Sequence, residues 1–243
     1  MPKVKNNFMI YVLIFLLGFL IALSIIPSKN KEKILVENEE VLKGSSNILA
    51  VTQNQQGVIG KVNVEITKGN GKVLVNTNPF LEPDTQYSAN IAASVASNLT
   101  NFDLSNKNII YDFNLTGNVL GGPSAGLAMT LATISAIENK DVKNIGVTGT
   151  ILPDGEIGLV GGVLEKGVAA GDKGIKLILV PKSESIFTYY EKNVQKRTLN
   201  NGAIIVRTYY TPRNANLTEY FEKEYNMKVI EVNNIQEAMK YAF

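Results

Sequence analysis

A charge-free apolar segment close to the N-terminus constrains this chain more than any other feature. It covers residues 8–26, which are 19 residues without a charged side chain. A helix rises about 1.5 Å per residue, so such a segment is long enough for the roughly 30 Å hydrocarbon layer of a bilayer. We therefore expect a single-pass transmembrane anchor. A cleaved signal peptide is the alternative, although its apolar core is usually only about 7–15 residues long.

The charges around this segment leave its orientation open. Lys3 and Lys5 precede it, and Lys29, Lys31 and Lys33 follow it, so the positive-inside rule favours neither orientation. Only seven residues come before the segment, as in a signal anchor that translocates the part of the chain behind it. We therefore predict a membrane protein whose large C-terminal domain is extracytoplasmic. A cytoplasmic domain is the alternative.

The rest of the chain divides into a polar linker and one globular domain. Residues 27–56 mix charged, Ser, Asn and Gln residues with short apolar runs and predict the linker, which leaves residues 57–243 for the domain. Strand and helix patterns alternate in the domain, which indicates an α/β (α+β) class with mixed sheets. Residues 60–66 and 72–75 alternate around a Gly-containing turn and predict a hairpin. Residues 123–137 are apolar nearly all round, as in a buried helix.

The composition removes most of the usual catalytic chemistries. The 243 residues include no Cys and no His, which excludes thiol nucleophiles, Ser/His/Asp triads and the commonest metal ligands. We expect neither a metal nor a cofactor, and a nucleophilic enzyme would need Lys, Asp, Glu or Tyr as its base. The net charge is only +2, with basic and acidic residues interspersed, so nucleic acid is not an expected partner.

One short motif predicts a turn that exposes a hydroxyl group. The sequence from Leu120 to Gly126 is LGGPSAG, with Pro at the favoured first position of a helix and Ser124 in its first turn. The backbone around Gly122 and Ala125 would border any anion beside Ser124, because N–H groups at a helix start attract negative charge. The motif alone also fits a plain capping turn on a core helix, or a phosphate-binding loop like those of small-molecule kinases.

Several motifs occur in the order found in one peptidase family. They are GPSAG at 122–126, VTG at 147–149, GGVLEK at 161–166 and IKLILVPK at 175–182. On these motifs the chain resembles the proteolytic domain of Lon peptidases, and most of all the ATPase-free, membrane-linked Lon-like proteins. The resemblance extends over about residues 57–243.

The resemblance implies a Ser/Lys dyad. Ser124 corresponds to the nucleophile, Lys166 to its general base, and Thr148 to the residue that forms a hydrogen bond with that Lys. The chain would then be a serine endopeptidase that cleaves peptides or unfolded proteins without ATP, and it would form a homo-oligomer. The alternatives are a catalytically inactive Lon-like scaffold and a domain that borrows a separate ATPase.

The surroundings of Lys166 fit the role of a base. Lys accepts a proton only when it is neutral, so its pKa must fall from the usual value of about 10.4. On the predicted helix, Val163, Gly167 and Ala170 share its face, which predicts an apolar environment. One position departs from the ATP-dependent enzymes, which usually carry an acidic residue where this chain has Gly121. That departure puts an ATP-linked switch in doubt, and the sequence has no G-x-x-x-x-G-K-[ST] loop for a nucleotide.

Overall fold

The structure is a computed structural model in which two compact units can be separated. The units are Met1–Asn38 and Glu39–Phe243. The residues that the structure describes are 8–25, 41–76, 80–115 and 119–243.

In the first unit, the described residues form one helix, α1 (Phe8–Ile25). It has 18 residues, and residue 26, the last of the predicted anchor, lies outside the described residues. Within the described ranges, no helix combines the length and the apolar character needed to cross a membrane. The prediction of a transmembrane anchor over residues 8–26 is therefore not supported by the described helices. The predicted membrane partner and extracytoplasmic location rest on the same segment and stay predictions.

The second unit alternates strands and helices, and the predicted α/β (α+β) class of mixed sheets with helices is confirmed. Its elements in chain order are β1 (Leu42–Val51), β2 (Gly57–Lys68), β3 (Val73–Val75), β4 (Phe80–Leu81), α2 (Pro83–Thr100), β5 (Lys107–Asn114), β6 (Val119–Leu120), α3 (Gly126–Glu138), β7 (Gly146–Val147), β8 (Thr150–Ile151), β9 (Ile157–Gly158), α4 (Val163–Asp172), β10 (Leu177–Pro181), β11 (Ile186–Thr198), β12 (Ile204–Asn216), α5 (Leu217–Tyr225), β13 (Lys228–Val232) and α6 (Ile235–Ala242).

A four-stranded sheet in the order β1-β2-β5-β3 forms one layer of the core. Side chains at every second position of β2 and β5 are buried, as expected for strands with one face on a core. These residues are Val62, Val64, Ile66, Ile109, Tyr111 and Phe113. They belong to the same apolar cluster as the buried side chains of α2 and α3.

The predicted hairpin between residues 60–66 and 72–75 is wrong in its pairing. Both strands exist, but β5 lies between them, and β3 runs parallel to β5 with Val73 opposite Ile109. The Asn108 side chain on β5 accepts hydrogen bonds from the N–H groups of Asn70 and Lys72, at 3.0 and 3.1 Å. The turn is therefore tied to β5 and not closed on β2.

Strand β1 lies within the segment predicted as a linker, residues 27–56. Its consecutive residues Ile48 and Leu49 are only 1% and 0% exposed, and they belong to two different apolar clusters. A strand that is buried on both faces does not alternate in polarity, so its sequence lacked the usual strand signal. The compact unit therefore begins at Glu39 and not at residue 57.

The central helix and a second sheet position the residues of interest. Every residue from Gly126 to Ala136 in α3 is buried, which confirms the predicted buried helix, and a 3-10 turn, Pro123–Ala125, precedes it. The second sheet has the order β13-β10-β7, with all three strands parallel. Residue Thr148 follows directly after β7, next to the start of α3.

Candidate active site

The turn before α3 is fixed by helix α2. Gly122 precedes the turn with a φ of +80°, a conformation that suits glycine because it has no Cβ. The Thr85 hydroxyl donates a hydrogen bond of 3.0 Å to the carbonyl of Gly122. The Ser88 hydroxyl donates one of 3.3 Å to the carbonyl of Pro123. Both hydroxyl-bearing residues are buried, so α2 fixes the backbone that carries Ser124.

A second set of contacts fixes the other side of Ser124. The Gly149 N–H donates to the Ser124 carbonyl at 3.0 Å, and the Leu127 N–H donates to the Gly149 carbonyl at 2.9 Å. A Cβ on Gly126 would lie 2.7 Å from the backbone nitrogen of Ile151. The close approach of α3 to this segment therefore requires glycine at position 126.

Helix α4 carries Lys166 into the interior. The residue is only 3% exposed, and Val163, Gly167 and Ala170 on the same face are buried with it, which confirms the predicted face. A Cβ on Gly167 would collide with the ring of Phe221 on α5. Glycine at this position lets α5 cover α4 closely.

A hydroxyl group links the buried amine to the turn that carries Ser124. The Nζ of Lys166 donates a 3.0 Å hydrogen bond to the Oγ1 of Thr148. The Thr148 hydroxyl in turn makes a long, 3.5 Å hydrogen bond to the carbonyl of Ser124. Among the described residues, Lys166 and Ser124 share no direct side-chain hydrogen bond. Thr148 is fully buried and lies between the two chain segments.

The position of Lys166 changes its acid–base behaviour. Burial lowers the pKa of the Lys166 amine to about 8, and the negative charges of Glu184 and Glu165 oppose this shift in part. Desolvation acts in this direction because it disfavours the charged form. At pH 7 most of the amine is still protonated, and the neutral fraction grows as the pH rises through 8.

Ser124 and Lys166 border one cavity of about 770 Å³. Its wall is largely apolar, with contributions from Val51, Leu159 and Val160, and the glycines at 121, 122, 161 and 162 also border it. Leu159 is 69% exposed and offers an apolar surface to a bound molecule. A cavity of this size that combines apolar walls with a few polar groups is suited to binding a ligand.

Two carboxylates were not singled out from the sequence, one at this cavity and one beside Gly121. Glu184 lines it and accepts a 3.2 Å hydrogen bond from the N–H of Val160. The carboxylate of Glu82 occupies the place where a Cβ of Gly121 would lie. An acidic group is thus present beside Gly121, although it comes from the residue before α2. This contact supplies an acidic group at a place where the sequence, with glycine at position 121, indicated none.

The remaining predicted site residues belong to the same turn. Gly122 borders the cavity, whereas Ala125 is 2% exposed and packs inward. The first N–H groups of a helix have no acceptor within the helix, so the turn can donate hydrogen bonds to an anion beside Ser124. Within the described ranges, no group of three or more acidic side chains is arranged to bind a metal ion.

The sequence of this chain is similar to known proteins. The sequence profile described as "Lon protease (S16) C-terminal proteolytic domain" matches residues 26–188. The chain is 31% identical over 159 residues to the archaeal Lon protease of Archaeoglobus fulgidus, a match that covers 63% of this chain and 25% of that protein. It is also 31% identical over 170 residues to the Lon protease of Mycoplasma pneumoniae, covering 66% and 21%.

A shorter segment is more similar still. Over 78 residues the chain is 44% identical to the Lon protease of Clostridioides difficile, which covers 31% of this chain and 10% of that protein. The chain therefore spans a quarter or less of the length of these relatives.

We predict that replacing Lys166 with Met stabilises the fold at pH 7 by roughly 3 kcal/mol, because the pKa of the amine falls from 10.5 to about 8 and one unit of pKa shift is worth about 1.4 kcal/mol. The unfolded chain binds a proton at this amine up to about pH 10.5, whereas the folded chain releases it near pH 8. The cost of burying the ammonium is therefore complete below pH 8 and disappears as the pH rises towards 10.5. Urea unfolding of the unmodified chain and of Lys166→Met, at pH 7 and at pH 10, measures the stabilisation at each pH.

The matched control is Lys173→Met, which changes an exposed Lys at the end of the same helix. It should leave the unfolding free energy nearly unchanged at both pH values. Equal effects of the two substitutions, or a difference that does not depend on pH, would contradict the shifted pKa.

Proposed function

Because the chain belongs to the family of Lon protease (S16) C-terminal proteolytic domains, we propose that it is a serine endopeptidase with Ser124 as nucleophile and Lys166 as general base. The observation that carries the proposal is the buried Lys166 amine, bound to Thr148 at the cavity that Ser124 also borders. A strongly shifted pKa in a cleft is typical of functional sites. It favours an active enzyme over an inactive scaffold.

The first half of the reaction forms an ester between the enzyme and the substrate. The Oγ of Ser124 attacks the carbonyl carbon of the peptide bond, while its proton passes to the neutral amine of Lys166. The carbonyl oxygen becomes an oxyanion in a tetrahedral intermediate. When the C–N bond breaks, the Lys166 ammonium returns the proton to the leaving amine, and the acyl group remains on Ser124.

The second half releases the acid product. Lys166, neutral again, takes a proton from a water molecule as the water oxygen attacks the ester carbonyl. The second tetrahedral intermediate collapses, the proton returns to Ser124 Oγ, and the substrate leaves as a carboxylic acid. One amine thus serves as base and acid in turn, which suits a pKa near the working pH.

Thr148 is proposed as a positioning residue. Its hydroxyl oxygen accepts one N–H of Lys166, which fixes the direction of the amine and leaves the lone pair of neutral Nζ for the proton of Ser124. Catalytic hydrogen bonds are often long in unliganded enzymes and shorten when substrate binds. The absence of a direct bond between the described side chains of Ser124 and Lys166 is therefore compatible with this role.

The oxyanion is proposed to bind at the turn before α3. N–H groups at the start of a helix are fixed donors for developing negative charge. The backbone around Gly122 and Ala125 is adjacent to the Ser124 hydroxyl, and the contacts from Thr85 and Ser88 limit its movement. Such donors need no reorganisation during the reaction.

The substrates, the assembly and the independence from ATP are also part of the proposal. Peptides and unfolded proteins are the proposed substrates and a homo-oligomer the proposed assembly, both by analogy with the family. ATP independence is supported by the lack of a G-x-x-x-x-G-K-[ST] loop in the sequence. No described residue contact favours the alternative of a phosphate-binding protein.

The dyad predicts that Ser124→Ala and Lys166→Arg each lower kcat for a peptide substrate by at least about 10³-fold. Alanine lacks the nucleophile, and a guanidinium remains protonated and cannot accept its proton. Cleavage of an internally quenched peptide measures both. Lys173→Arg on the exposed end of α4 is the control and should retain full activity. Turnover by Lys166→Arg within a few-fold of the unmodified chain would show that Lys166 is not the base.

The shifted pKa predicts that kcat/KM rises with pH, with a midpoint at about 8, since only the neutral amine accepts the proton. Because the charge of Glu184 raises the pKa of Lys166, Glu184→Gln should move the midpoint to lower pH. Glu222→Gln, an exposed substitution on α5, is the control and should leave the midpoint in place. A profile that is flat between pH 6 and 10 would refute the assigned base.

Cleavage should not require a nucleotide. Initial rates on an unfolded protein substrate, measured with and without Mg-ATP, should agree within error. A rate that appears only when ATP and a separate ATPase are added would support the alternative of a borrowed ATPase.

A further inference from the structure

The long hairpin of β11 and β12 is the largest feature that the proposed function does not use. Its strands pair antiparallel over 13 residues each, from Ile186 opposite Asn216 to Thr198 opposite Ile204. At about 3.4 Å per residue it is roughly 43 Å long. The family match ends at residue 188, so nearly the whole hairpin lies beyond it. We refer to residues 186–216 as the arm.

Exposed apolar side chains lie on both faces of the arm, and the face with more of them is its apolar face. Directly opposed residues of paired strands share a face, and the pairing places six large apolar side chains on one side. They are Ile186, Tyr190, Val194, Ile204, Val206 and Tyr210, between 49% and 67% exposed. A two-stranded hairpin is marginally stable by itself in water, and apolar patches of this kind mark interaction sites. We therefore expect this face to bind a partner.

The positive charge of the arm favours a negatively charged partner. The arm has five basic residues and one acidic residue, a net charge of +4. Its one carboxylate, Glu191, already pairs with Arg213 at 3.0 Å. The apolar face carries Lys192 and Lys196 and no acidic residue. The partner that fits is apolar and carries carboxylates.

The arm begins at the edge of the candidate active site. Ile186 follows two residues after Glu184, which lines the cavity of Ser124 and Lys166. The two ends of the arm are joined there, because the Leu217 N–H donates a 2.7 Å hydrogen bond to the Ser185 carbonyl. A chain segment that runs along the arm would thus reach Ser124 from the base of the arm.

The arm also offers backbone groups to an extended chain. Among the described strands, β11 and β12 pair only with each other, so the outer edge of each presents a row of N–H and C=O groups. An extended peptide can pair with such an edge whatever its sequence, because the hydrogen bonds involve only the main chain. A peptidase that acts on many sequences can use this mode of binding.

We propose that the arm is a substrate-binding site for extended polypeptide segments that are apolar and acidic, and that it brings them to the cavity of Ser124. The inference rests on the proposed peptidase function. The arm binds the distant part of a long substrate, which raises the local concentration of its scissile segment. A short peptide fills the cavity alone and does not reach the arm.

Binding without cleavage provides the first test. In the full chain with Ser124→Ala, a fluorescently labelled, reduced and carboxymethylated α-lactalbumin serves as an acidic, unfolded probe, and its Kd is measured by anisotropy. The triple arm variant also carries Tyr190→Thr, Val206→Thr and Tyr210→Thr. Threonine favours strands but offers less apolar area, so the Kd should rise about tenfold. The control adds Leu74→Thr, Leu152→Thr and Tyr241→Thr, three exposed apolar residues outside the arm, and should leave the Kd within about twofold.

The charges are tested separately. Lys192→Glu with Lys196→Glu should weaken binding of the same probe at low salt, and the loss should shrink near 1 M salt, where the Debye length is only about 3 Å. The control, Lys173→Glu with Lys228→Glu, changes the net charge equally at exposed positions elsewhere and should have the smaller effect.

Kinetics link the arm to catalysis in the chain with Ser124 intact. We compare kcat/KM for the unfolded protein with kcat/KM for an eight-residue peptide. In the triple arm variant the first value should fall about tenfold relative to the second, because KM for the unfolded protein rises. Equal Kd values for the arm variant and its control would overturn the proposal. The proposal would also be overturned if light scattering showed that the triple arm variant has half the particle mass of the chain with an unchanged arm, while its Kd for the probe stayed the same. The arm would then bind a second copy of the chain. A failure of the peptidase proposal would give a different result, because the chain without substitutions would then cleave neither the unfolded protein nor the peptide.

Discussion

The burial of the Lys166 amine against the Thr148 hydroxyl is the interaction on which the rest of the site depends. A charged amine in an apolar environment is unfavourable, and a single hydrogen bond of 3.0 Å compensates for only part of that cost. The result is a pKa of about 8, close enough to neutrality for proton transfer in both directions. Every proposed chemical step uses this property.

The fold makes that burial possible through small residues at close contacts. Gly167 admits the Phe221 ring against α4, and Gly126 admits the backbone of Ile151 against α3. Thr148 follows the end of β7, and the next residue, Gly149, donates to the Ser124 carbonyl. The residue that binds the Lys166 amine and the residue that binds the Ser124 carbonyl are therefore neighbours in the chain, which couples the two segments. Such coupling keeps a catalytic pair in a fixed geometry before substrate binds.

The sequence predicted those elements whose pattern depends on local structure. The buried helix α3 and the face of α4 around Lys166 follow from helical periodicity and from the glycines. It did not predict that β3 pairs with β5, because the Asn108 contact that decides the pairing joins distant residues. Glu82 was missed for the same reason, since only the folded chain brings it beside Gly121.

Other differences arose where the polarity pattern was unusual. Strand β1 is buried on both faces, so its residues do not alternate and were assigned to a linker. The arm has apolar side chains exposed to water, and strands of this kind lack the alternation by which a half-buried strand is recognised. The predicted anchor rested on apolar character over residues 8–26, of which helix α1 is described over Phe8–Ile25.

The proposed catalytic pair is tested most directly by the reaction of the full chain with a serine-directed peptide phosphonate, followed by mapping of the modified residue by mass spectrometry. A Ser124–Lys166 dyad predicts one adduct, on Ser124, and a rate of modification that rises with pH through about 8. It also predicts that this rate collapses in Lys166→Arg. An adduct on another residue, or a rate in Lys166→Arg that matches the unmodified chain at every pH, would contradict the assignment of Ser124 and Lys166 as a catalytic pair.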